Sequence, residues 1–184
     1  MENSLSMGAH KMDKRKAMVT TLVLVLVLVV VAAIWFLKND HGNVQDRSIA
    51  DTDDAFALEA TAIDLEELFS YGIPIIIDFG SDACIPCKQM APVLAAINEQ
   101  MRGKAFIKFV DAKKYGRIAA DFRIQTIPSQ IFINADKTPY SPKKTMDVEF
   151  VEKRVDGRTY TLHQGGLTEA QLRLILADMG VTDK

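Results

Sequence analysis

The chain has 184 residues, enough for one domain of ordinary size and an appendage. Apolar residues make up 48% and charged residues 25%, which excludes wholesale disorder, and a net charge of −2 leaves no electrostatic footprint for nucleic acid. Only two cysteines are present, both in one short motif, which excludes a disulfide-stapled scaffold.

Residues 1–16 are short and polar and end in Lys11, Lys14, Arg15 and Lys16. Ala17 to Leu37 follow as 21 uncharged residues, all apolar except Thr20 and Thr21. As a helix this run is about 31 Å long, against a hydrocarbon core of roughly 30 Å. It exceeds the usual h-region of about 7–15 residues. It also continues through Ile34-Trp35-Phe36-Leu37 beyond the cleavage-like Val31-Ala32-Ala33. The expectation is an uncleaved transmembrane signal-anchor over residues 17–37, with a cleaved signal peptide or a buried core helix as alternatives. The basic cluster before the span keeps residues 1–16 in the cytoplasm. The sequence after Leu37 is then expected outside the cytoplasm, anchored by a single pass through the cytoplasmic (inner) membrane and facing a bacterial periplasm, with the outside of a single-membrane cell as the alternative. Residues 38–54, rich in Asp and Asn, read as a linker reaching about 58 Å at most.

Residues 55–184 read as one α/β domain. Asp64-Leu65-Glu66-Glu67 has the spacing of a capped helix start, with Gly72 as the stop. Ile73 to Phe79 is a β-branched run suited to a central strand buried on both faces. The pattern then predicts a helix over Cys84–Met101, a strand over Ala105–Val110, a short helix over Arg117–Phe122 and a strand over Ser129–Asn134. Met146–Arg154 and Arg158–Gln164 flank Val155-Asp156-Gly157, whose Asp-Gly pair favours a hairpin turn. Thr168-Glu169-Ala170-Gln171 opens a last helix running to Met179. Strands alternating with helices, then a late hairpin, imply a mixed sheet flanked by helices.

The chemistry lies in Cys84-Ile85-Pro86-Cys87-Lys88. Two intervening residues let the sulfurs meet across one helical turn, so the pair can cycle between dithiol and disulfide. A cysteine at a helix N-terminus has free N–H groups and the positive dipole end beside its sulfur, which favours thiolate. This makes Cys84 the attacking thiol and Cys87 the resolving one. A structural disulfide remains an alternative, although a four-residue loop contributes only about 2 kcal/mol. A zinc site lacks ligands, because one Cys pair supplies two of four and only His163 lies in the domain. A c-type haem attachment would need histidine where Lys88 stands.

The stretch from Ile75 to Pro92 resembles the active-site segment of the thioredoxin family. Asp78 lies six residues before the first cysteine, Lys88 follows the second, and Pro92 lies five beyond it. Ile124-Gln125-Thr126-Ile127-Pro128-Ser129 resembles the family's cis-proline loop, and Gly165-Gly166 before the final helix matches its C-terminal end. The resemblance spans roughly Ala55 to Val181 and implies a thioredoxin-like fold. It implies that Asp78 is a buried carboxylate exchanging a proton with Cys87. It also implies that Pro128 is cis, beside backbone that pairs with an extended peptide. Lys108 reads either as the family's lysine partner of that aspartate or as a solvated strand lysine.

Three departures stand out: Ala83 replaces the family's usual Trp, Ile85 replaces the common Gly, and residues 135–158 are longer than in a minimal member. The implied activity is thiol:disulfide oxidoreduction, with disulfide-containing proteins as substrates and no cofactor or metal. Pro86 before Cys87 favours a reductase, recharged by a membrane thiol-electron transporter. A thiol oxidant or isomerase, or a non-catalytic binding or metallochaperone module, are the other readings.

Overall fold

The computed structural model describes residues 18–19, 22–31 and 54–181. Contacts divide the chain into two units, residues 1–48 and 49–184. In the first unit, residues 22–31 are helical with exposed apolar side chains. No helix among the described residues is long and apolar enough to cross a membrane. Of the expected span 17–37, residues 17, 20–21 and 32–37 lie outside the described residues. So do the expected cytoplasmic segment 1–16, the linker up to residue 53 and the last three residues of the chain.

The second unit is an α/β sandwich. Asp64 caps α1 (Leu65–Ser70), its carboxylate accepting from the Glu66 and Glu67 N–H groups at 3.0 and 3.1 Å. β1 (Ile75–Gly80) is buried throughout, as its unbroken apolar run requires. α2 (Ile85–Met101) returns the chain to β2 (Phe106–Asp111), and α3 (Gly116–Asp121) leads toward β3 (Ser129–Ile133). β4 (Val151–Val155) and β5 (Arg158–Gln164) form the hairpin, and α4 (Glu169–Asp178) ends the fold. Asp156 and Gly157 have φ of 48° and 85°, the double positive φ of the two-residue turn expected from an Asp-Gly pair.

The sheet order is β2-β1-β3-β5-β4, with β1 and β2 parallel and the other pairs antiparallel. Its two faces bury different cores. Ile75, Ile77, Phe79, Phe106 and Ile131 pack with Leu68 and Phe69 of α1 and Ala119 of α3. Ile76, Ile107 and Phe132 pack with Leu94 and Ile97 of α2 and Leu172 and Ile175 of α4. A segment ahead of α1 closes the free edge of β2. The Phe109 N–H donates to the Leu58 carbonyl at 2.7 Å, and the Ala60 N–H donates to the Phe109 carbonyl at 2.8 Å.

The strand expected from Met146 starts only at Val151. Residues 140–150 instead cross the α2/α4 face, where the Phe150 ring meets those of Phe132, Tyr140 and His163. Asp178 at the end of α4 pins this excursion, its Oδ2 accepting from the Tyr140 hydroxyl and the Lys143 N–H, both at 2.8 Å. Asp178→Ala leaves both donors without their acceptor and should cost about 2–3 kcal/mol. Thermal unfolding checks this, with the reduction potential of the dithiol expected to stay unchanged.

Candidate active site

The site forms where the C-terminal end of β1 meets the start of β3. A tight turn follows Gly80, with the Cys84 N–H donating to the Ser81 carbonyl at 3.0 Å and the Ala83 N–H to Ser81 Oγ at 3.2 Å. Cys84 is the N-cap of α2, and its sulfur accepts from the Cys87 N–H at 3.3 Å. The next residues suit a first helical turn, because Pro86 lacks an N–H where no intrahelical partner exists. Cys84 and Cys87 are joined as a disulfide with Cα atoms 5.2 Å apart. Cys84 is half-buried, whereas Cys87 is 5% exposed, and Ile85 between them is 71% exposed. The expected contrast between an outer and an inner sulfur is therefore present.

The Ile127–Pro128 peptide is cis, as the resemblance implies, and the Ile127 carbonyl oxygen lies 3.9 Å from Cys84 Sγ. The loop is fixed at both ends. Ser129 Oγ donates to the Thr126 carbonyl at 2.7 Å, and the Gly165 N–H donates to the Pro128 carbonyl at 3.0 Å. A cleft of about 350 Å³ flanks the dithiol, between Pro86, Gln89 and Val93 of α2 and Leu167 and Thr168 ahead of α4.

Asp78 sits behind the disulfide on β1 and is 1% exposed. Burial raises its pKa from 3.8 to about 7, and the hydrogen bond from Gln130 opposes that rise. Gly80 keeps the space between acid and sulfur open. A Cβ there would lie 3.4 Å from both Asp78 Oδ2 and Cys87 Cβ, and 2.7 Å from the Phe109 ring.

Lys108 is not part of this constellation. Asp78 pairs with Phe109 in the β1/β2 register, while Lys108 pairs with Ile77 and so shares the opposite sheet face. Its ammonium donates to the Ala57 carbonyl at 2.7 Å, and it is 7% exposed. Burial lowers its pKa, against the pull of Asp54 and Glu67. Lys108 is therefore neither a partner of Asp78 nor a solvated strand lysine; it anchors the segment ahead of α1.

Gln130 is the residue that sequence reasoning missed. It faces Asp78 across the β1/β3 ladder and donates to Asp78 Oδ1 at 2.6 Å. The available signal was a long amide inside the strand Ser129–Ile133, two residues after Pro128.

Residues 61–155 match the family model described as Thioredoxin. A thioredoxin-like protein of Synechocystis sp. is 33% identical over 58 residues, covering 32% of this chain and 55% of that protein. Chloroplastic thioredoxin Y of Oryza sativa is 31% identical over 64 residues, covering 35% of this chain and 38% of that protein. The chain thus spans about half the length of these two relatives. The crystal structure of chloroplastic thioredoxin z is 21% identical, covers 68% of this chain and 96% of its own, and has a TM-score of 0.46. The family match runs from before α1 to the end of β4 and takes in the dithiol, Asp78 and the cis-proline. Because it covers more than half of the 184 residues, the chain belongs to the thioredoxin family.

Proposed function

We propose that the protein is a membrane-tethered thiol:disulfide oxidoreductase that reduces disulfides in protein substrates outside the cytoplasm. The observation that carries this reading is the asymmetric sulfur pair: Cys84 is half-exposed at the helix N-cap and Cys87 is buried beside Asp78. The reduced Cys84 thiolate attacks one substrate sulfur, the substrate S–S bond breaks, and a mixed disulfide forms. Cys87 gives its proton to Asp78, and its thiolate attacks Cys84 Sγ. The second substrate thiolate leaves as the Cys84–Cys87 disulfide closes. Two electrons pass to the substrate, and the two leaving thiolates take protons from solvent.

Reduction, rather than oxidation, is supported by Pro86 before Cys87 and by the lack of histidine between the cysteines. Exposed Ile85 and the neighbouring cleft offer apolar contact to a substrate chain lying against the Ile127–Pro128 backbone. Tethering is supported by the apolar run Ala17–Leu37 with its basic flank. An anchored dithiol stays near a membrane thiol-electron transporter, the donor that would return two electrons to it.

Insulin-disulfide reduction and the reduction potential test the chemistry. Activity with a potential near about −270 mV is expected, whereas a potential near about −120 mV would make the protein an oxidant. A C-terminal alkaline phosphatase fusion tests the topology. It should be active and stay with the membrane fraction; an inactive fusion, or a soluble species beginning near Ile34, would refute the tethered arrangement.

A further inference from the structure

All five residues of β3 are buried, and Gln130 is 0% exposed among them. An apolar side chain would fill this place without burying an amide. Gln130 Nε2 donates to Asp78 Oδ1 at 2.6 Å and to the Gly165 carbonyl at 3.1 Å, and lies 3.6 Å from the Met90 sulfur. These two acceptors fix the amide's orientation, because a flipped amide would turn its oxygen toward both of them. Gln130 Oε1 is then the one buried side-chain N or O atom among the described residues without a hydrogen-bond partner. An acceptor left open next to a carboxyl group is matched when that group carries a proton. A neutral carboxyl and a primary amide can pair through one N–H···O and one O–H···O bond.

We propose that Gln130 is a positioning residue for proton transfer from Cys87, its amide holding Asp78 in both protonation states. Nε2 donates to the carboxylate, and once Asp78 has taken the proton from the Cys87 thiol, its O–H donates to Oε1. The inference rests on the reading of Asp78 as that proton acceptor. The groups packed around Asp78 leave few competing titrations. β2 presents Phe109, α2 presents Cys87 and Met90, and the loop before α4 presents the Gly165 carbonyl. Beyond Gln130, β5 presents His163 in register, its Nδ1 2.8 Å from the Glu149 carbonyl oxygen.

The test follows resolution of a mixed disulfide between Cys84 and a chromogenic aryl thiol, as a function of pH, in the full chain. Gln130→Met keeps the side chain's length and removes the amide. The donor to the charged carboxylate is the stronger of the two bonds. Its loss should therefore move the acid limb up by about one pH unit and slow resolution about fivefold at pH 7. In an Asp78→Asn background the same substitution should change the rate less than about twofold. An unshifted limb, or an equal slowing in both backgrounds, would leave Gln130 as packing only. A limb that moves with His163→Asn and not with Gln130→Met would transfer the role to His163. A pH profile that Asp78→Asn leaves unchanged would instead overturn the reading of Asp78 itself. A measurement on the unaltered protein covers the case in which Gln130→Met does not fold. The side-chain amide ¹⁵N resonance of Gln130 should titrate with the Asp78 carboxyl carbon, and an amide that stays constant while Asp78 titrates would sink the proposal.

Discussion

Cys87→Ser should accumulate mixed disulfides between Cys84 and substrate proteins, while Cys84→Ser should trap almost none. The difference follows from position. Cys84 is the sulfur that reaches solvent and accepts the Cys87 N–H, so loss of Cys87 leaves attack intact and removes only the step that releases product. Without Cys84 the buried Cys87, 5% exposed, has no path to a substrate disulfide. Both variants should lose multiple-turnover reduction by on the order of 10³-fold or more, since the two sulfurs act as one unit. Non-reducing electrophoresis after acid quenching separates the two outcomes. Equal trapping by both variants would remove Cys84 as the nucleophile.

Asp78→Asn should make the fold more stable and the enzyme slower. Asp78 holds its proton up to about pH 7 in the folded chain, whereas the exposed carboxyl releases it near 3.8. Between those values the folded state binds the extra proton, so stability falls as pH rises through the window and the loss is complete above it. Holding the proton across that window corresponds to about 4 kcal/mol. Asn should recover most of this above pH 7, raising Tm by roughly 10 °C, and almost none of it below pH 4. An Asn amide also pairs with Gln130 at both ends, supplying the donor that Oε1 lacks. Resolution by Cys87 should slow by on the order of 10²-fold at neutral pH as the proton acceptor disappears. Melting curves from pH 4 to 9, set beside single-turnover kinetics, check both halves. A Tm difference independent of pH would mean that Asp78 is charged throughout.

What could be read in the sequence was local. The run Ile75–Phe79 announces a central strand because no polar residue breaks it before Asp78, and the Asp156-Gly157 turn needs only its own two residues. The dithiol and the cis-proline loop are legible for the same reason, each being a compact string. Lys108 shows where this fails. Which face it takes depends on a register set between two strands, and a shift of one residue reverses the face. Gln130 meets Asp78 across 52 residues of chain, so its role appears only once β1 and β3 are paired. Residues 146–150 carry a strand-like pattern, yet Phe150 is drawn onto the Phe132 and Tyr140 rings and the backbone leaves the ladder.

The segment that closes the β2 edge sets where the folded unit can be cut. Besides the Leu58 and Ala60 bonds to Phe109, Lys108 grips the Ala57 carbonyl and Asn98 Nδ2 donates to the Phe56 carbonyl at 2.9 Å. The Phe56 ring stacks on Phe106 with centroids 4.6 Å apart. A fragment starting at Thr61 would lose all of these and bare the backbone of β2, the outermost strand on that side of the sheet. The opposite edge, β4, guards itself with Glu152, Lys153 and Arg154, charges that discourage a foreign strand. β2 is the more apolar edge, with Phe106, Ile107, Phe109 and Val110 beside only Lys108 and the terminal Asp111. Shortened past Ala60, the domain would offer that strand to a second copy of itself, and self-association would then set the limit on solubility.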